Sequence, residues 1–133
     1  MKNTSDKTIG IMLMICSSFG LILGFLVIIG IVPKDYVWGG RITENSQLLI
    51  LESTTFIVNT LILWVIAMRV GFMKQRMKSK NITIILYILM ALMALNTVGN
   101  IFAQTTFEKL MAIPTAISTI GFYILAHRIN PKA

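Results

Sequence analysis

The chain has 133 residues, 56% of them hydrophobic and only 13% charged, with a mean hydropathy of +0.80. A soluble domain is about one quarter charged, so this composition excludes an ordinary water-soluble fold and describes an integral membrane protein. The net charge of +7 does not point to nucleic acid, because the basic residues follow membrane topology instead of forming a footprint on one folded surface.

Four apolar stretches, 9–32, 48–68, 82–103 and 110–126, predict an all-α, four-helix transmembrane bundle filling a single domain, 1–133, with no soluble domain. At about 1.5 Å rise per residue the first three cross a hydrocarbon core of about 30 Å, and the fourth only just does. The first stretch is far longer than the apolar region of a secretory signal, about 7–15 residues, and no small-x-small cleavage site follows it. Ile15 stands where a lipoprotein site before Cys16 would need a small residue, so the stretch is expected to remain as a span. Cys16 is the only cysteine, which leaves no intramolecular disulfide.

Within the first span Cys16, Gly20 and Gly24 form a small-residue stripe suited to close helix packing. Pro33 is expected to end the helix, Tyr36 and Trp38 to settle at headgroup level, and Gly39-Gly40 to turn the chain so that Arg41 lies near the mouth of the bundle. The second span carries Glu52, Thr55 and Asn59 at i, i+3 and i+7, on one helical face. The connection 69–81 interleaves Arg69, Lys74, Arg76, Lys78 and Lys80 with Phe72, Met73 and Met77. Each base beside an anionic leaflet is worth about 1 kcal/mol, so this loop is expected to bind anionic lipid. The third span carries Asn96, Asn100 and Gln104 at i, i+4 and i+8. The fourth offers Thr115, Ser118 and Thr119, with Pro114 expected in its first turn.

Nine bases (Lys2, Lys7, the five of the 69–81 connection, Arg128 and Lys132) lie on one side of this topology, against Lys34, Arg41 and Lys109 on the other. The positive-inside rule then makes both termini cytoplasmic. Asn81-Ile82-Thr83 matches a glycosylation pattern but would face the cytoplasm, where it has no meaning. In this orientation nearly all the intramembrane polar groups occupy the external half, and the cytoplasmic halves are almost wholly apolar. That asymmetry predicts a polar pocket opening outward. Its proposed ligand-binding set is Glu52, Thr55, Asn59, Asn96, Asn100, Gln104, Thr115 and Ser118, with Trp38 and Arg41, alongside Glu44, Glu108 and Lys109, around the mouth.

Glu52 is the most informative of these residues, because a bare charge within a span costs at least about 2.5–3.5 kcal/mol and marks a functional site. The bland alternatives are an ion pair with Arg41, a neutral acid hydrogen-bonded to an asparagine, and asparagines acting only as helix glue. Met12, Met14, Met90 and Met93 lack any His or Cys cluster that would make a copper site, and no cofactor is expected. An enzyme needs an acid and base in mutual reach, and neither His127 nor any second intramembrane acid supplies one.

The sequence therefore supports a small polytopic membrane protein whose pocket binds or transports a small polar or amphipathic ligand. The competing reading is an accessory subunit, or one protomer of a homo-oligomer, packed against a larger membrane partner with no ligand of its own. Abundant Ile, Lys and Asn fit an AT-rich bacterial genome and a cytoplasmic-membrane location.

Overall fold

The computed structural model describes residues 4–128; Lys2 and Lys132 of the charge reading lie outside this range. Four helices make up the fold: α1 (Thr4–Ile28), α2 (Asn45–Val70), α3 (Ser79–Ile101) and α4 (Thr106–His127). All four are long and apolar enough to cross a membrane. Two short 3-10 turns, Lys34–Tyr36 and Trp38–Gly40, occupy the α1–α2 connection.

Helix ends follow backbone chemistry more closely than hydropathy. α1 stops at Ile28 and not at Pro33, because Gly30 adopts a left-handed φ of 80°; the N–H of Ile31 then bonds Leu26 O (2.9 Å) and that of Gly30 bonds Val27 O (3.1 Å). This pair of bonds satisfies carbonyls that a helix end leaves open. Gly71, at φ 88°, ends α2 with a comparable bond from Phe72 N to Ala67 O (2.9 Å). α4 begins earlier than its hydropathy suggests. Thr105 caps it, accepting from Glu108 N (3.2 Å), while Glu108 Oε2 accepts from the Thr105 hydroxyl (2.8 Å). Pro114 consequently lies inside the helix and not in its first turn, so the Leu110 carbonyl lacks its usual donor.

α1 packs against α2 and α4, and α4 packs against α3, whereas α2 and α3 barely touch. The helices therefore form an arc, α2–α1–α4–α3, in which α1–α2 and α3–α4 are the closely packed pairs. At the end bearing the described termini, Leu13, Ile66, Leu86, Phe122 and Leu125 form a fully buried apolar cluster drawn from all four helices. Close approach there depends on small residues: a Cβ at Gly10 would collide with Val70, and one at Gly121 would lie 2.8 Å from Leu13 Cδ2. A smaller cluster, Val27, Val37, Ile42 and Leu48, packs at the opposite, loop-bearing end.

Asp6, which the charge reading leaves aside, locks the terminal end. Its carboxylate pairs with Arg69 Nη2 (3.1 Å) and Arg128 Nη1 (3.2 Å), tying α1 to the last turns of α2 and α4. Arg69 also donates to Leu125 O (3.3 Å). It thus differs from the other four bases grouped with it: it is a buried, paired residue of α2, whereas Lys74, Arg76, Lys78 and Lys80 stand exposed beyond the helix end.

Removing one partner of a buried ion pair costs about 3–5 kcal/mol, whereas an exposed pair is worth about 0–1 kcal/mol. The Asp6 and Arg69 side chains are about nine-tenths buried and that of Arg128 is 45% exposed. Asp6→Ala should therefore lower the unfolding midpoint in detergent by several-fold more than Arg128→Ala does; equal effects would contradict this account of the lock.

Candidate functional site

Between the two apolar clusters lies a cavity of about 500 Å³ walled by all four helices and by the α1–α2 connection. On α2 its lining runs from Glu52 to Ile62, a rise of about 15 Å, or half of a hydrocarbon core of about 30 Å. Ile62 belongs to the terminal cluster and Val27 and Val37 to the loop-end cluster, so the cavity occupies the half that the packing leaves open.

Eight of the ten proposed binding residues line this cavity: Glu52, Thr55 and Asn59 from α2, Asn96 and Asn100 from α3, Thr115 and Ser118 from α4, and Trp38 from the connection. Gln104 and Arg41 do not. α3 ends at Ile101, which leaves Gln104 in the following bend and breaks the stripe it was assigned to. Arg41 is exposed, its side chain lying beside Gly39, and makes no ion pair with Glu52.

Glu52 is 5% exposed. Its Oε1 accepts from Trp38 Nε1 (2.9 Å), so the edge of the indole meets the carboxyl group while the ring remains 42% exposed. Its Oε2 has no hydrogen-bond partner among the described residues. That oxygen lies against Gly24, where a Cβ would stand only 2.7 Å away. One turn along α1, a Cβ on Gly20 would lie 3.1 Å from Asn59 Oδ1. The α1 stripe thus does more than admit a neighbouring backbone: two of its glycines leave room for the polar side chains of α2.

Holding the indole against Glu52 imposes a constraint on the connection. Trp38 (φ 55°), Gly39 (φ 70°) and Gly40 (φ 64°) all lie in the left-handed region. For tryptophan this costs about 1–2 kcal/mol, comparable with a hydrogen bond of about 0.5–1.5 kcal/mol; for glycine it costs almost nothing. Gly39 N then donates to Glu108 Oε1 (2.6 Å). One dipeptide, Trp38-Gly39, therefore holds both cavity carboxyl groups.

Glu108 is the residue that sequence reasoning misplaced. Taken for a mouth residue, it is 8% exposed and lines the cavity as a second acid. The available signal was Thr105-x-x-Glu108, a capping-box spacing that draws the carboxyl back onto the helix start. Thr97 was also missed; its hydroxyl donates to Thr115 Oγ1 (3.0 Å) and links α3 to α4. Among the described residues, no cluster of three His, Cys, Asp or Glu side chains is arranged to hold a metal ion.

Asn59 Nδ2 donates to Thr55 O (2.9 Å) and the Ser118 hydroxyl to Pro114 O (2.8 Å), while the amides of Asn96 and Asn100 make no hydrogen bond to the described residues. The arrangement is an apolar chamber with a few unsatisfied polar groups, a pattern characteristic of small-molecule sites. In comparison with known proteins, no family model matches the chain and no curated protein or solved structure is similar to it.

The glycines separate packing from site chemistry. Gly10→Ala meets tightly packed Val70 and should destabilise the bundle by about 1–3 kcal/mol, the usual cost of overpacking. Gly24→Ala meets only the movable end of Glu52. It should leave the unfolding midpoint nearly unchanged while altering Trp38 emission in a Trp64→Phe background. The reverse ranking of the two stabilities would refute this division.

Proposed function

We propose that the chain is a multi-pass membrane protein that binds a small amphipathic molecule in this cavity, with Glu52 as the polar anchor. The observation that carries the reading is the Glu52 carboxyl group, which lines the cavity at 5% exposure with one oxygen, packed beside Gly24, unpartnered among the described residues. An intramembrane charge costs at least about 2.5–3.5 kcal/mol, whereas an interhelical hydrogen bond returns about 0.6 kcal/mol. A single bond to Trp38 does not offset that cost, so helix glue is a poor account of the residue. A ligand that pairs with the open oxygen offsets it.

The cavity volume of about 500 Å³ falls within the range of about 300–1,000 Å³ usual for small-molecule sites. Its walls, including Phe19, Leu23, Leu92 and Leu95, suit an apolar body, and the Asn96 and Asn100 amides suit polar substituents. Access runs through the gap between α2 and α3, so the ligand reaches the site from the bilayer or from the loop-bearing end. Charge distribution supports a cavity opening away from the cytoplasm, because the exposed Lys74, Arg76, Lys78 and Lys80 gather at the opposite end, where they are also placed to hold anionic headgroups. The terminal apolar cluster closes the path through the bundle, so binding is the reading; transport requires that cluster to part.

The α2–α3 gap also favours a second reading. Thr54 and Asn96 line the cavity yet remain exposed, and a helix of a membrane partner or of a second copy laid along this edge would cover them. In that case the chain is an accessory subunit, and gentle extraction should recover a stoichiometric complex.

The binding reading is tested with 9-anthracenemethanol, whose absorption overlaps tryptophan emission, added to Trp64→Phe protein in zwitterionic vesicles. Energy transfer from Trp38 should saturate, and Thr55→Phe, which fills the cavity, should weaken the affinity by about ten-fold or more, equivalent to about 1.4 kcal/mol. Transfer that rises linearly and identically in both proteins would show bilayer partitioning alone and would refute the site.

A further inference from the structure

The polar groups of this cavity are unbalanced in charge. Glu52 and Glu108 both line it, and no Lys, Arg or His does. Lys109, next to Glu108 in sequence, is exposed and outside the lining, and Arg41 lies over Gly39 on the connection. The two acids differ in what they leave free. Glu108 has both oxygens occupied, by Gly39 N (2.6 Å) and by the Thr105 hydroxyl (2.8 Å), so it contributes charge without an open acceptor. Glu52, which lines the cavity, has Oε1 held by the Trp38 indole (2.9 Å), and its Oε2, beside Gly24, has no partner among the described residues. Asn59 adds a second acceptor: its Nδ2 is committed to Thr55 O (2.9 Å), while Oδ1 faces Gly20 with no donor among the described residues.

Building on the binding role proposed above, we infer that the ligand is an organic cation, an apolar body bearing a protonated amine whose N–H donates to Glu52 Oε2. The only ionisable oxygen acids lining the site are carboxyl groups and no Lys, Arg or His offsets them, so a charged ligand complements the site as a cation. The Asn96 and Asn100 amides serve its neutral polar substituents as donors or acceptors. In a low-dielectric surrounding a positive charge is attracted to both carboxyl groups, and an anion is repelled by both. The Trp38 ring, fixed beside the same carboxyl group by its own hydrogen bond, supplies an aromatic surface of the kind that attracts ammonium groups. Gly24, lacking a side chain, leaves room for the carboxyl group itself to pack against α1. Phe19 and Phe107 complete walls that accept an aromatic or aliphatic body.

Three probes of nearly equal size separate charge from shape: 9-(aminomethyl)anthracene, 9-anthracenemethanol and 9-anthroate, which at neutral pH are cationic, neutral and anionic. Each is titrated into Trp64→Phe protein in zwitterionic vesicles, with energy transfer from Trp38 as the signal and protein-free vesicles correcting for partitioning. The amine should bind about ten-fold or more tighter than the alcohol, as expected when a charged donor replaces a neutral one on the same carboxylate, and the anthroate should not saturate. Glu52→Gln, which keeps the acceptor for Trp38 and removes the charge, should bring amine and alcohol to within about two-fold of each other. Gly24→Ala, which displaces the carboxyl group without removing it, should also shrink the preference and serves if Glu52→Gln does not fold.

Equal affinity of alcohol and amine in the unmodified site would overturn the cation assignment while leaving the binding site intact. A preference for the amine that survives Glu52→Gln and Gly24→Ala would also overturn it, because Glu52 would not be the anchor. Saturable binding of none of the three would remove both the assignment and the site beneath it.

Discussion

The whole arrangement rests on two closely packed helix pairs, α1–α2 and α3–α4, that share a fully buried apolar cluster at the terminal end. Lipid is as apolar as leucine, so burial does not drive these helices together; contact quality and polar pairing must do it. At the terminal end both are present, with Leu13, Ile66, Leu86, Phe122 and Leu125 interlocked, Gly10 and Gly121 allowing close approach, and Asp6 joining two arginines. Beyond Ile62 and Ser118 that packing gives out. α2 and α3 no longer meet, and their polar residues face a space instead of each other.

The α1–α2 connection turns this space into a site with defined chemistry. Trp38 and Gly39 adopt left-handed conformations, one at a cost and one freely, and from there the indole and the amide reach Glu52 and Glu108. Glu108 meanwhile caps α4 through Thr105, which couples the start of that helix to the same connection.

Hydropathy made the four spans legible because length and apolarity are what lipid demands, and the spacing of Glu52, Thr55 and Asn59 put them on one wall because a helix has a fixed period. Hydropathy says nothing about where backbone groups find partners. It therefore ran α1 on to Pro33 past the left-handed Gly30, began α4 beyond its Thr105 cap, and placed Gln104 on a helix that had already ended. The same gap hid Glu108, whose position is set by capping and not by polarity. Asp6 escaped notice because its partners lie 63 and 122 residues away, a separation that no local pattern encodes. Gly20 and Gly24 were legible as a packing stripe, but only three dimensions show that they face Asn59 and Glu52.

Cys16 lies in the cavity lining, is half-buried and is the only cysteine in the chain, so it reports on the chamber without engineering. The most direct measurement is its rate of modification by a small water-soluble methanethiosulfonate in intact vesicles. The account predicts that reagent supplied at the loop-bearing end modifies Cys16 in the folded protein, at a rate that falls when Thr55→Phe fills the cavity. A thiol that stays inert until the bundle is unfolded would mean that no open, hydrated space exists between the helices, and would contradict the account at its root.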